Sequence, residues 1–312
     1  MALLNRSDFD WSTTVRLRSS YMPNTHVNIW ASIPGIIVSG TILYVSLTTK
    51  NLKGQFKIPV ISLSSCSLFA ACASLIFHIW YLLMLRMNVE VNFTLCSVLR
   101  RLYDHGQTPR IFCNLIIALD RHLTVIYNMK YCRKFILILI LASLTFAATV
   151  TLASLLWGIV KEEDVCGPTL NGPSYFSNIV LGSWCTVTTV AFALNIRLMF
   201  FIFKHQQRNK TSERHRTARE QKNERWMSVG ITVQSFLPLI PFAMIVYGLF
   251  SYFNYSGATL PQWYWLLSLA LGYSNNTTIP LITALSIGPF RTALRIKFFP
   301  NSRPTSSRSV VA

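Results

Sequence analysis

The chain has 312 residues, of which 52% are hydrophobic and 13% charged, and its mean hydropathy is +0.40. Soluble domains carry about 25% charged residues, so disorder, collagen, coiled coil and an ordinary soluble enzyme are excluded. The net charge of +18 would point to nucleic acid if it covered one folded face, but it sits in short loops between apolar blocks, and no nucleic acid is expected as a partner.

A helix needs about 20 apolar residues to cross a bilayer. After an N-terminal segment over 1–26, six stretches meet that need: 27–49, 58–85, 135–160, 176–203, 226–253 and 262–287. Arg197 is the one Lys, Arg, Asp or Glu in all six. A seventh span is expected over 95–127, although its first half carries Arg100, Arg101, Asp104, His105, Gln107 and Arg110. The alternative there is a long loop followed by a short buried helix. Residues 288–299 read as an amphipathic juxtamembrane helix against anionic lipid, and 300–312 as a disordered tail. The expected fold class is therefore an all-α integral membrane bundle of seven transmembrane helices.

Orientation follows from the basic residues. The loops 50–57, 128–134, 204–225 and 288–312 hold nineteen Lys and Arg, against five on the opposite side, which also holds Glu162, Glu163 and Asp164. The nineteen-residue side is expected in the cytosol and the N-terminus outside. Glycosylation sequons at Asn5, Asn92 and Asn254 fall on the outer side, the one at Asn209 on the inner side. The first ten residues lack an apolar core, so the first span is expected to direct insertion itself.

Cys96 stands at the outer start of the third span and Asp120-Arg121-His122 at its inner end. The 25 residues from Cys96 to Arg121 make about 37 Å of helix. Cys166 lies in the outer loop before the fifth span, Gln234-Ser-Phe-Leu-Pro238 in the sixth, and Pro280 in the seventh with Phe290 ten residues on. These residues resemble the rhodopsin-like G-protein-coupled receptors. The resemblance implies a disulfide between Cys96 and Cys166, and it makes Asp120 and Arg121 the family's acidic-Arg-Tyr triplet with His122 in place of the tyrosine. It implies that Arg121 is held at rest by Asp120 and by an acid at the foot of the sixth span, Glu220 or Glu224. Pro238 and Pro280 become the switch prolines of spans six and seven. Ile279 stands where the family's asparagine would be and Thr283 where its second tyrosine would be, so the usual switch cannot be transferred whole. Gln-x-x-x-Pro in span six and Pro-Phe-Arg (289–291) after span seven are similar to nematode chemosensory serpentine receptors of the Str-type superfamily.

Arg100, Asp104, Gln107 and Ile111 follow helical spacing, with Tyr103 beside them. Lipid would not accept that stripe, so it is expected to face the bundle interior. Arg100 and Asp104 can pair, and the segment offers no second acid for Arg101 and Arg110. With Tyr103, Gln107 and Arg110 this becomes a candidate site for a small anionic or strongly polar ligand; the competing reading is a structural salt-bridge layer. A phosphate-binding glycine loop, HExxH and GxSxG are all missing, and the cysteines have no metal-type spacing. The expectation is a non-enzymatic receptor without cofactor or metal, whose partners are a small ligand, membrane lipid and a heterotrimeric G protein. The alternative is a seven-helix transporter or ligand-gated channel.

Overall fold

The structure, a computed structural model, describes residues 14–17, 19, 22–49, 57–129, 133–156, 175–208, 218–254 and 260–298. In chain order these form β1 (Thr14–Val15), α1 (Met22–Thr48), α2 (Lys57–Met87), β2 (Val91–Asn92), α3 (Phe93–His105), α4 (Thr108–Ile126), α5 (Arg133–Leu156), α6 (Tyr175–Arg208), α7 (Ala218–Phe236), α8 (Leu239–Asn254), α9 (Gln262–Ser286) and α10 (Gly288–Phe298). The loop over 162–164, Asn5, Cys166 and the tail beyond 298 lie outside the described residues.

Proline decides where two of the spans divide. A proline ring clashes with the carbonyl four residues earlier. Pro109 points that clash at His105, and α3 ends at His105; the third span is two helices joined at Gly106 and Gln107, not one. Pro241 points it at Leu237, and the sixth span parts into α7 and α8 at Leu237 and Pro238. Pro280 leaves α9 unbroken. The carbonyl it frees belongs to Asn276, and that oxygen accepts a 3.1 Å bond from Ser39 Oγ of α1. A neighbouring helix has replaced the lost backbone donor, as membrane helices require.

Five stretches are long and apolar enough to cross a membrane by length and composition: Met22–Thr48, Lys57–Met87, Lys134–Leu152, Leu181–His205 and Asn223–Gly248. The third span falls short because of its charges. α9 falls short because Asn275, Asn276 and the hydroxyls around them dilute its apolar content. In α4 and α9, Arg110, Asn114, Asn275, Asn276 and Thr283 turn inward. Buried positions hold Ser39, Ser67, Ser74, Asn275, Asn276 and Gln234, while Trp30, Ile37, Ile76 and Leu141 lie exposed on the rim. Small and polar inside with large and apolar outside is the pattern of a bundle whose solvent is lipid.

α1 packs between α2 and α9, and α7 between α6 and α9. α4 runs through the middle and touches α2, α5 and α6. Gly230 on α7 faces Ser286 on α9 so closely that a Cβ there would collide with the serine side chain. α10 docks by burying Phe290 among Ile42, Val45, Val60 and Ile287, whereas Phe298 is exposed. Two of its three basic residues reach protein: Lys297 Nζ donates to Thr48 Oγ1 at 2.6 Å and lies over the Tyr44 ring, and Arg291 donates to Asn223 Oδ1 of α7 at 2.9 Å.

The outer end holds a feature the sequence did not announce. β1 pairs antiparallel with β2, Thr14 opposite Asn92 and Val15 opposite Val91. α2 stops just before this ladder at Asn88, whose φ of 51° lets Asn88 N bond Leu85 O and Val89 N bond Met84 O, a left-handed helix stop. Val15 is buried against Phe77, Tyr81, Val91, Phe93 and Cys96. Arg16 Nε and Thr14 Oγ1 each donate to the Glu90 carboxylate at 3.0 Å. The Thr14 bond, then the Arg16 bond and charge, hold the Glu90 carboxyl below its ordinary range.

Candidate functional site

Three of the buried polar residues of α4 share one face. Gln107 precedes it, and Arg110, Asn114 and Arg121 follow at spacings of three, four and seven, which place them along one side of a 3.6-residue helix.

At the upper level, Arg110 is 3% exposed and Gln107 5%. Arg110 Nε donates to Gln107 Oε1 at 3.2 Å. This bond orients the amide, and it leaves Arg110 Nη1 and Gln107 Nε2 buried with no hydrogen-bond partner. The ionisable neighbours of Arg110 are Tyr273 and Cys66; no carboxylate among the described side chains pairs with it. Beside it, Trp184 Nε1 of α6 donates to Thr108 Oγ1 at 3.0 Å and packs against Phe242 of α8. The Trp184 bond meets the chain at the α3–α4 break.

One turn lower, Gln234 of α7 is fully buried and ties three spans. Its Nε2 donates to Asn114 Oδ1 at 2.7 Å, and its Oε1 accepts from Thr283 Oγ1 of α9 at 2.6 Å. Next to it, Asn195 Nδ2 of α6 donates to Ser235 Oγ of α7 at 2.6 Å.

At the inner end, Arg121 and Asp120 form a buried ion pair at 3.5 Å. His122 Nδ1 lies 3.4 Å from Leu194 O of α6, and Arg197 of α6 donates to Tyr127 Oη at 3.4 Å. The lone charged residue of the six apolar stretches is thus an anchor between α6 and the end of α4.

The sequence-derived site is brought together in part. Gln107 and Arg110 meet. Arg100 and Arg101 lie half-buried on α3, and the side chains of Tyr103 and Asp104 lie outside the described residues. The stripe from Arg100 to Ile111 is divided between α3 and α4 at Gly106 and Gln107, which both keep right-handed helical angles. Asp120 and Arg121 pair. The Glu220 side chain lies outside the described residues, and Glu224 is half-buried on α7. Pro238 and Pro280 are buried. Cys96 is disulfide-bonded; Cys166 lies outside the described residues. Asn92 Oδ1 accepts from Leu95 N and caps α3, a role compatible with a sugar on Nδ2. Asn5 and the Asn254 side chain lie outside the described residues. The sequence reading missed Asn114 and Thr108. It singled out Gln234 for its spacing to Pro238 and Thr283 as a departure, without seeing that they bond each other.

Residues 39–282 match the family model of the seven-transmembrane receptors of the rhodopsin family. The match spans well over half of the chain, and the chain belongs to that family. No curated protein matches it. Family membership makes it a multi-pass, seven-helix membrane receptor that is not an enzyme and that signals as a G-protein-coupled receptor.

Proposed function

We propose that this receptor is a chemosensory one of the nematode serpentine, Str-like kind, set in the plasma membrane of a sensory neuron with its N-terminus outside. It detects a small odorant or secreted metabolite, anionic or strongly polar, and passes the signal to a heterotrimeric G protein. The ligand site is the upper third span, Arg100, Tyr103, Asp104, Gln107 and Arg110. The disulfide of Cys96 goes to Cys166 and holds the outer loop over that site.

The observation that carries the reading is the single polar face of α4. It runs from Arg110, through Asn114, to Arg121, so the ligand level, the tie to spans six and seven, and the cytoplasmic arginine share one helix. The chain's departures from the family motif support it as well. Thr283 stands where the family has its second tyrosine, Gln234 lies one turn before Pro238, and the two bond each other. They make a polar catch at the Pro238 break, where the sixth span can bend. In the resting receptor the catch is closed and Asp120 holds Arg121, with Glu220 or Glu224 adding to that hold. Ligand binding one turn above Asn114 opens the catch and frees Arg121 for the G protein.

The test is expression in cells, screening of small metabolites and odorants for a calcium response, and measurement of agonist-driven nucleotide exchange on a purified G protein. Agonist-driven current without exchange would replace the receptor reading with the channel one. Glycan mapping checks the orientation: sugar is expected on some of Asn5, Asn92 and Asn254, and sugar on Asn209 would invert it.

A further inference from the structure

Arg110 lies about 16 Å along the helix from Arg121, deep in the bundle. Its charge is compensated by no carboxylate among the described side chains, and its Nη1 has no hydrogen-bond partner. The two helices that carry its ionisable neighbours hold further buried donors without a partner. Ser67 of α2, next to the Cys66 that neighbours Arg110, has an unbonded, fully buried hydroxyl. Asn276 of α9, one turn from Tyr273, has a fully buried amide with neither end bonded. A bare guanidinium within a membrane bundle is costly, and the receptor must fold and reach its membrane before it meets any agonist. The compensating charge must therefore be present at rest.

We infer that the resting receptor holds a small monovalent anion, chloride from the surrounding medium, against Arg110 Nη1 and Gln107 Nε2. One positive charge calls for one negative charge, so sulfate and phosphate are disfavoured. A monatomic acceptor can take bonds from both donors without the planar geometry that a carboxylate needs. The inference shares Arg110 and Gln107 with the ligand site proposed above. An anionic agonist would then act by displacing the chloride, and agonist potency would fall as chloride rises.

The test uses the purified full chain in detergent, with no agonist and no G protein, so its outcome is separate from whether the protein is a chemoreceptor. The melting midpoint is measured at one ionic strength in chloride, bromide, acetate and gluconate. Chloride and bromide are expected to raise it over gluconate by about 3 °C. Arg110→Gln should abolish the difference, Gln107→Leu should shrink it, and Arg295→Gln, on the exposed face of α10, should leave it intact. If the Arg110 variant does not fold, chloride NMR line broadening by the wild-type receptor, reversed by bromide, gives the same answer. A wild-type midpoint indifferent to halide, or a halide effect that survives Arg110→Gln, overturns the inference. Stabilisation by acetate but by neither halide also overturns it, and assigns the place to a carboxylate ligand.

Discussion

One helical turn separates Arg110 from Asn114 on α4, and the two polar layers they belong to are built on opposite terms. In the lower layer Gln234 has both ends of its amide bonded, to Asn114 and to Thr283. In the upper layer Arg110 and Gln107 bond each other and leave two buried donors over. The chain from Asn114 through Gln234 to Thr283 is closed at Gln234 and favours one arrangement of its helices, although Asn195 Oδ1 beside it is left without a partner. A layer with spare donors is finished only by something that is not part of the chain. The lower layer ties the helices together, and on the proposed reading the upper one recognises the ligand.

Breaking the complete layer should have the largest effect. Gln234→Leu strips two interhelical bonds and strands Asn114 Oδ1, so stability should fall by about 2 kcal/mol, read as a lower melting midpoint. Basal nucleotide exchange should rise in the same variant. If basal exchange stays flat, the layer is a structural tie and not a catch.

The close approach of α7 and α9 is what lets Gln234 reach Thr283, since Gly230 lies one turn before Gln234 and Ser286 three residues after Thr283. Gly230→Ala should push the helices apart at a cost of about 1–2 kcal/mol. Adding Ser286→Gly should restore most of the loss. A double variant no better than the single would locate the strain elsewhere.

The incomplete layer should respond in the opposite sense. Arg110→Leu removes a buried charge that no carboxylate among the described side chains pairs with, so with gluconate as the anion stability should hold or rise by up to about 1 kcal/mol. Surface expression should be intact, and the response to active ligands should be lost. Arg101→Leu, nearer the interface, should weaken the response less. Wild-type responses from both variants at the surface would move the ligand site to spans five to seven.

The smallest effect belongs to the exposed pair at the outer end, which is set against water and salt where the two layers are not. Glu90 has a depressed pKa in the folded state, so its contribution is full above the ordinary carboxylate range. It fades as pH falls through the lowered value. Glu90→Gln should flatten that acid limb of the stability profile, and high salt should imitate it in part.

The spans were legible because lipid demands long apolar runs, and a charge-free run as long as 135–160 would be insoluble as the surface of a water-soluble fold. The stripe from Arg100 to Ile111 was read as one face because spacing alone carries no record of which carbonyl Pro109 will meet. The β1–β2 pairing was invisible, since two residues a side are too few to show a period. Gln234 and Thr283 both stood out as polar residues in apolar spans. That they bond each other depends on a helix contact across 49 residues of chain, which no local pattern encodes.

The break at Gly106 also has a mechanical consequence. An unbroken rod from Phe93 to Ile126 would carry any tilt of its outer end straight to Arg121. Cut at the Pro109 clash, it becomes a jointed linkage. The outer arm packs against the N-terminal strand and α2, and the inner arm packs against α2, α5 and α6. On the proposed reading a push on the outer loops is softened at the joint, and ligand contacts at Gln107 and Arg110 act on the inner arm directly. Sequence drift in the outer loops should then leave the receptor's tuning unchanged, while a single exchange at Thr108 or Trp184, where the joint is pinned, should retune it.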